Sequence, residues 1–458
     1  MPASRPSANT KLAALMAAAG CTHAGLARRV NDLGGQQGQA PHYDKTAVSH
    51  WLSGTQPRPV ARYLIAEAIG NKLGRHLTLS ELGFEEPESP DCVGKALIFD
   101  QDAVLAAETL AELGKMDLDR RSLLKMVPFI GTALLAPQRD WLLALVESET
   151  LGPTTVDGDG PAETVRAMIR VFDEMDNRYG GGHARIPAIH YLSTELLPRL
   201  SLTYPENQMR QMFTAAAKLA ATAGWMTYDV GGYGLGQRYM TQALRLCVEG
   251  RDHILAGQIF AGMSHLATNM GNPREGLALA RAGIATAKRT GSQLGLMRIY
   301  AMRGRAHAAL GEGRQAAQSI TQAELALDKS RAPQSESEWV QYLDSAYLAA
   351  ETACCFRDLK DYDNAERFAV TAVKGAGARG RRQVISLSVL ATATLRRRNG
   401  DVHQAVITAK KALEQLERVS SERSAKALRE FRRQLIPYHE EPVVRAFEAE
   451  ACARLGAA

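Results

Sequence analysis

An internal repeat in the second half of the 458-residue chain constrains the fold more than any other feature. Four segments, beginning near residues 271, 311, 360 and 399, each place a turn before a helix-like run. Small residues recur at matching offsets in these runs, which lets two antiparallel helices approach closely and stack into a continuous core. The aligned residues are Gly276, Ala316, Ala365 and Ala405, and those twelve positions earlier are Ser264, Gly304, Ala353 and Ala393.

An earlier copy of the repeat is predicted around Ala243, with Gly231 twelve positions before it. The copies are then spaced by 33, 40, 49 and 40 residues. This set resembles tetratricopeptide repeats, although three of the spacings exceed the family's usual length of about 34 and the terminal proline is absent. The resemblance implies an α-solenoid over residues 211–417, with longer helices accounting for the wider spacing.

Composition agrees with an all-α fold. Aromatic residues make up only 6% of the chain and alanine is abundant in long runs, which favours packed helices over sheets. The 45% of apolar residues and 23% of charged residues are typical of a folded globular chain. Six scattered cysteines without a CxxC pair indicate neither a disulfide framework nor a zinc site, so we expect no metal and no cofactor.

The positive charge is concentrated at the start of the chain. Residues 1–80 contain nine arginines or lysines against three acidic residues, a balance of +6 that equals the net charge of the whole chain. An acidic, proline-containing stretch follows and predicts a linker. We therefore expect these units: a head at 1–84, a linker at 85–93, a helical connecting region at 94–210, repeats at 211–417 and a helical cap at 418–458.

The head has the signals of five short helices. Asn9 or Thr10 caps the first, Thr22 the second and Asp44 the third, while a proline at position 59 opens the fourth. Glycines predict the ends: Gly34 and Gly35, Gly54, and Gly70 for the second, third and fourth helices, with a fifth turn from Thr78. Five short helices with a basic balance are typical of a helix-turn-helix domain.

Residues 10–84 resemble the Cro/repressor-like (xenobiotic response element) helix-turn-helix family. The resemblance rests on Leu26 and Ala27, on the run TAVSHW at residues 46–51, and on Gly54 followed by Pro57 and Pro59. Leu26 and Val48 are 22 positions apart, twice the family's usual spacing of about eleven, because a Gly/Gln-rich segment separates them. The resemblance implies double-stranded DNA as a partner.

Helical spacing places four polar side chains of the third helix on one outward face, while Val48 and Trp51 face the core. Short hydrogen-bonding side chains and a positive helix N-terminus suit base edges and phosphate in a major groove. Two nearby arginines are predicted to contact phosphates, which position the protein without specifying sequence. The predicted DNA-contact residues are Lys45, Thr46, Ser49, His50, Arg58 and Arg62.

Two segments of the connecting region need interpretation. The run from Asp119, DRRSLLKMVPFIGTALLA, is similar to a twin-arginine export signal, but its internal position and short apolar part predict a buried helix. The polar segment at 176–192 contains the glycines 180–182 and predicts a turn between helices, with a phosphate loop as the alternative. The segment 223–236 predicts a packing corner that could instead line a pocket. The candidate effector-pocket residues are Arg178, Tyr179, His183, Trp225 and Tyr228.

A second basic stretch, residues 378–433, holds fourteen arginines or lysines against five acidic residues. We interpret it as the solvated face of helices, with contact to DNA phosphates or to an acidic partner as the alternative.

The repressor-like head and the helical repeat body together resemble actinobacterial helix-turn-helix regulators with tetratricopeptide tails. The resemblance implies a transcriptional regulator, homodimeric, whose body dimerises or senses a peptide, small-molecule or protein effector. We expect no enzyme, since no motif such as HExxH or GxSxG occurs. We expect no membrane partner and a cytoplasmic location, since no apolar run is long enough to span a bilayer. Two alternatives stay open: a repeat scaffold with a vestigial head, and an enzyme that uses the Gly/His segment near His183.

Overall fold

The computed structural model of the chain describes residues 7–37, 41–75, 77–85, 92–100, 102–119, 127–147, 160–330 and 336–455. Over these ranges the protein is all-α, as predicted, with 21 α-helices and no strand. None of the helices in the described ranges is long and apolar enough to cross a membrane. The expected acidic linker lies mostly at 86–91, outside the described residues.

Four helices form the head: α1 (Thr10–Ala18), α2 (His23–Gln36), α3 (Lys45–Leu52) and α4 (Pro59–Leu73). Asn9, Thr22 and Asp44 each accept a hydrogen bond from a backbone N–H in the first turn of the helix that follows, as predicted. Two predicted helix ends are wrong, because α2 continues through Gly34 and α4 continues through Gly70 until Gly74, whose φ is 67°. Residues 79–83 form a turn and not a fifth helix.

Gly34 serves close packing and does not end α2. A Cβ atom at this position would lie 2.4 Å from the ring of Pro41, in the segment that leads back toward α3. The glycine therefore lets the returning chain pack directly on α2, and the helix needs no break there.

Five helices follow the head: α5 (Cys92–Lys95), α6 (Ala103–Asp119), α7 (Leu135–Glu147), α8 (Pro161–Tyr179) and α9 (Gly181–His190). The buried helix predicted from Asp119 is only partly present: residues 120–126 lie outside the described part, and 127–130 are not helical. There the side chain of Gln237 accepts a hydrogen bond from the N–H of Ile130 at 2.9 Å and donates one to its carbonyl at 2.6 Å. These bonds replace the ones that a helix would supply.

Twelve helices follow as six consecutive helix pairs, of which the first five pack extensively along their lengths. They are α10 (Glu206–Asp229) with α11 (Tyr233–Gly250), α12 (His253–Asn269) with α13 (Pro273–Lys288), α14 (Gln293–Ala309) with α15 (Gly313–Lys329), α16 (Ser345–Asp358) with α17 (Tyr362–Lys374), α18 (Gly380–Arg396) with α19 (Val402–Leu416), and α20 (Glu422–Gln434) with α21 (Pro442–Leu455). The predicted small residues lie where the helices of a pair cross. Ser264 donates a hydrogen bond to the carbonyl of Gly276 at 2.7 Å, and a Cβ atom at Gly304 would lie 3.7 Å from the carbonyl of Ala316.

The predicted alignment of the first copy is wrong by seven residues. Gly231 lies in the turn between α10 and α11, and the two helices cross at Gly224 and Gly236 instead. A Cβ atom on Gly224 would approach the carbonyl of Gly236 to 3.1 Å, so a small residue is needed at this crossing. With Gly236 aligned to Gly276, the first spacing becomes 40, the same as the second. The longer spacing of 49 comes from the extra chain between α15 and α16.

The stacked pairs return to their starting point. The glycine run of the connecting region ends α8 and begins α9, as predicted, and Gly180 takes a φ of 83°. Beside it, the N–H of Ser420 donates to the carbonyl of Tyr179 at 2.8 Å, and the carbonyl of Ser420 accepts from the N–H of Gly182 at 3.0 Å. Early and late parts of the chain thus meet along a closure seam, defined by residues 176–183 and 419–423.

The head contacts the remainder of the described chain from residue 92 onward, which we call the body. The side chain of Gln37 exchanges two hydrogen bonds of 3.1 Å with the backbone of Phe129. The carboxylate of Glu67, on α4, is 1% exposed and accepts from the N–H of Gly131 at 3.0 Å and from the hydroxyl of Thr132 at 3.3 Å. The head is therefore docked on the following part of the chain through specific polar groups.

Candidate functional site

The predicted DNA-contact helix α3 is held across α2 by one asparagine. The amide of Asn31 donates to the carbonyl of Tyr43 at 2.8 Å and accepts from its N–H at 2.9 Å, which fixes the chain just before α3 begins. The ring of Tyr43 packs edge-on against Trp51, 5.1 Å between centroids. Leu26 and Val48 are fully buried, so α2 and α3 pack together despite the long segment between them.

One face of α3 is exposed as predicted. Lys45, Thr46, Ser49 and His50 are exposed, while Val48 and Trp51 are buried in the head core. The Ser49 hydroxyl donates to the carbonyl of Lys45 at 3.1 Å. It also lies 3.3 Å from Nδ1 of His23, an exposed residue that begins α2 and that the sequence interpretation did not include. His23 extends the polar face from α3 onto α2.

The N-terminus of α3 differs from the expected phosphate site. The carboxylate of Asp44 accepts from the N–H of Ala47 at 2.9 Å, and this hydrogen bond lowers the pKa of Asp44 below its ordinary value. A negative charge therefore already occupies the positive end of the helix dipole. The N–H of Ala47 is therefore already bonded, whereas the side chains of Lys45, Thr46, Ser49 and His50 are exposed.

The two predicted phosphate-contact arginines differ in their surroundings. Arg58 is exposed at the start of α4. Arg62 is half-buried and donates to the carbonyls of Pro57 at 2.8 Å and Glu85 at 2.6 Å. Arg62 thus holds two loops of the head together, which leaves Arg58 as the freer of the two side chains.

The body encloses a large cavity inside the ring of helix pairs. The first helix of every pair contributes to its wall, and α8 adds residues from the closure seam. The space between these walls is about 1350 Å³, a figure that includes the adjoining open solvent. Its basic lining residues are Lys218, Arg298, Arg305, Arg379, Arg381, Arg382 and Arg423, and its acidic lining residues are Asp173, Asp176 and Glu351. Its aromatic lining residues are Trp225, Trp339, Tyr342 and Tyr347, together with His265.

Ion pairs hold arginine side chains of the cavity lining in place. Arg381 donates to both carboxylate oxygens of Asp176, at 2.9 and 2.8 Å, and to Asp229 at 3.1 Å. Asp229 is fully buried and also accepts from the hydroxyl of Ser421 at 2.8 Å and from the N–H of Gly181 at 3.0 Å. Burial raises the pKa of Asp176 above its ordinary value, although the guanidinium of Arg381 opposes that rise. These bonds join the two sides of the closure seam.

An aromatic cluster lies beside the seam. The hydroxyl of Tyr228 is 3.1 Å from Nδ1 of His265, and a guanidinium N–H of Arg423 donates to Nε2 of His265 at 3.2 Å. The pKa of His265 is lowered well below its ordinary value, first by burial and then by the nearby arginines, so His265 is neutral. The amide of Asn269 donates to the hydroxyl of Tyr228 at 2.5 Å and lies 3.1 Å from the same Nδ1 atom. Trp225 packs on both rings, at 5.5 Å from each.

The structure divides the five candidate effector-pocket residues into two groups. Trp225 lines the cavity, and Tyr228 packs against it. Arg178, Tyr179 and His183 form a separate group at the seam. The ring of Tyr179 packs edge-on against His183, 5.8 Å between centroids, and the Arg178 guanidinium lies 5.3 Å from the centroid of Tyr179.

The basic stretch 378–433 contains three further arginines of the cavity wall. Its interpretation as a solvated face is wrong for Arg381, Arg382 and Arg423, whose side chains are only 11, 12 and 15% exposed. They belong to the first helices of late pairs, which face inward. Arg298 and Arg305 do not lie in such a run of basic residues, so the sequence does not mark them as cavity residues. Only the position of α14 in the cavity wall identifies them.

Residues 12–85 match the family model of the SP15 N-terminal domain. The match covers the described head and stops before the all-helical body of paired helices. It is to this family and not to the Cro/repressor-like or tetratricopeptide families, whose resemblances stay predictions. No curated protein matches the chain.

Proposed function

We propose that the protein is a sequence-specific DNA-binding transcriptional regulator whose helical body mediates dimerisation, effector sensing or both. The observation that carries the proposal is the exposed face of α3. Four polar side chains project from a short helix whose opposite side, Val48 and Trp51, anchors it in the head core. A rigid helix that presents hydrogen-bonding groups is what major-groove readout requires.

Charge supports the same proposal. The excess of six positive charges in residues 1–80 accounts for the net charge of the chain and favours a polyanionic partner. Arg58 is exposed beside the α3 face and suits a phosphate contact. His23, adjacent to Ser49, adds a donor at the start of α2.

The body supplies what the head lacks. A two-fold operator needs two heads at about 34–36 Å for adjacent helical turns, and a small head has few residues with which to set that distance. The bonds of Gln37 and Glu67 to residues 129–132 couple the head to the body that would set it. An effector in the body then changes DNA affinity if it binds one arrangement of heads better than another.

The test is salt-dependent binding of the full chain to duplex DNA. Fluorescence anisotropy of a labelled random-sequence duplex, titrated from about 50 to 200 mM salt, should give a steep fall in affinity, because protein cations displace condensed counterions. Arg58→Gln should lower the steepness of that dependence. Lys72→Gln is the matched control, since Lys72 is exposed near the far end of α4, about 20 Å along the helix from Arg58. Absence of binding at the lowest salt would contradict the proposal.

A further inference from the structure

We propose that the body cavity binds a small organic acid, with one carboxylate held at Arg298 and an apolar or aromatic body beside Trp225. The inference rests on the proposed function only for the regulatory role of this ligand. Its test measures binding to the cavity itself, so its outcome is independent of whether DNA binds.

The charge balance selects Arg298. Three carboxylates outside the lining, those of Asp229, Asp344 and Asp358, lie within 4 Å of cavity arginines. With them, six of the seven cationic lining residues have a carboxylate partner among the described residues. Arg298 is the exception in that part of the chain: it donates to Gln258, at 2.8 Å to the side-chain oxygen and 3.4 Å to the carbonyl, and is hydrogen-bonded to the hydroxyl of Tyr347, but it has no carboxylate within 4 Å.

Donors without partners occur on Arg298 itself and on other residues that line the cavity. Nε of Arg298 is buried and makes no hydrogen bond. Because the side-chain oxygen of Gln258 accepts from Arg298, its Nε2 group is a donor, and that donor is also buried without a partner, in a residue that is 6% exposed. Ser386, which also lines the cavity and is 3% exposed, has an unpartnered hydroxyl. Buried donors are nearly always satisfied, so these groups indicate a missing acceptor.

The number of charges indicates a carboxylate. One guanidinium without a carboxylate partner matches a single negative charge, whereas a phosphate monoester carries about 1.5 to 2 at neutral pH. Guanidinium and amide N–H groups together suit the two oxygens of a carboxylate.

The rest of the cavity suits an apolar body. Leu255, Ile259 and Ile385 line it with Trp225, whose ring centroid lies 5.9 Å from the Arg298 guanidinium. Closure of the seam bounds the space on the side of α8, and concave sites lined by apolar and aromatic side chains with a few polar groups are typical of small-molecule binding. We therefore assign a small molecule to this space.

Matched probes test the inference on the full chain. 2-Naphthoate and 2-naphthamide share a ring and nearly the same shape but differ in charge, and 2-naphthyl phosphate carries the alternative head group. Isothermal titration, with quenching of tryptophan fluorescence as a second readout, should show one site per chain that binds the naphthoate at least tenfold more tightly than either of the others. Equal affinity for the naphthoate and the amide would overturn the inference, and a tighter naphthyl phosphate would overturn the carboxylate assignment.

Variants locate the site. Arg298→Gln should weaken naphthoate binding at least tenfold and leave naphthamide binding unchanged, and Arg298→Lys should restore part of the loss. Arg281→Gln, on the exposed side of α13, is the control. If Arg298→Gln does not fold, Ser386→Ala decides the matter. It removes a hydroxyl without a partner in the fold and should weaken naphthoate severalfold, while Ser388→Ala, two residues along the same helix, should not. Unchanged binding in both the Arg298 and the Ser386 variants would contradict the proposed site.

Discussion

Glu67 should make the docking of head and body depend on pH. Its carboxylate is buried between α4 and the turn at 131–134, where it accepts from Gly131 and Thr132. Burial raises its pKa from the ordinary value of 4.5 to about 7, since the hydrogen bonds to the charged form offset the loss of water only in part. The docked state therefore prefers the protonated acid.

The magnitude follows from this difference. At about 1.36 kcal/mol for each tenfold change in the ionisation constant, a pKa of about 7 in place of 4.5 corresponds to about 3 kcal/mol. A raised carboxyl pKa gives stability that is fully present below pH 4.5 and is lost progressively until pH rises through about 7. Docking should thus be weaker at pH 8 than at pH 4.5 by about two orders of magnitude in its equilibrium constant.

Glu67→Gln tests this reasoning. The amide keeps an oxygen for the N–H of Gly131 and can donate to the hydroxyl of Thr132, but it never ionises. Hydrogen exchange of the peptide that spans 127–134, corrected for the intrinsic effect of pH, should show about 10²-fold greater protection in the variant at pH 8. Near pH 4.5 the variant and the wild type should agree. Glu85→Gln, an exposed carboxyl of the head, is the control.

Equal protection of the variant and the wild type at both pH values would refute the assignment of a buried, neutral Glu67. Lower protection in the variant at pH 8 would show instead that the ionised carboxylate holds the head, and the sign of the pH dependence would be reversed.

Three further predictions address reading of DNA, assembly and the seam. His50→Ala should relax sequence preference by about 1–3 kcal/mol for a lost base contact, whereas Arg58→Ala should weaken all duplexes nearly equally; competition between specific and scrambled duplexes measures both, and the opposite pattern would mean that α3 is oriented differently. Residues 92–458 should self-associate as the full chain does in sedimentation, because the body is the larger surface; a monomer where the full chain dimerises would exclude assembly through the body. Asp229→Ala should lower the free energy of unfolding by about 3–5 kcal/mol, since Arg381 loses a buried partner. The shift in denaturation midpoint measures this loss. A much smaller shift would indicate that Asp176 alone is a sufficient partner for Arg381.

Much of the fold could be predicted because it depends on local patterns. Helix caps such as Asp44 are short-range chemistry, and the small residues at Gly304 and Ala316 mark a crossing within one pair of helices. Errors arose where distant chain contacts override local preference. Gly34 has the sequence signature of a helix end, but Pro41 packs against it and α2 continues. Residues 127–130 have the pattern of a helix, but the side chain of Gln237 makes the backbone hydrogen bonds of Ile130 instead.

The cavity was harder to predict for the same physical reason. Arg381 and Asp176 are 205 positions apart and meet only because the stacked pairs close into a ring. A run of arginines in the sequence predicts solvent exposure unless that closure is known. The exposed face of α3 was accessible to prediction because helical spacing alone separates Ser49 and His50 from Val48 and Trp51.

Selection of duplexes from a random library by the full chain tests the central claim most directly. The wild type should enrich a defined sequence motif after a few rounds, because the face of α3 reads base edges. A triple variant, Thr46→Ala, Ser49→Ala and His50→Ala, should retain salt-dependent binding through Arg58 and the other cations of the head but enrich no motif. If the folded wild type enriches no motif either, or if the triple variant enriches the same one, the account of this chain as a regulator that reads DNA through α3 is contradicted.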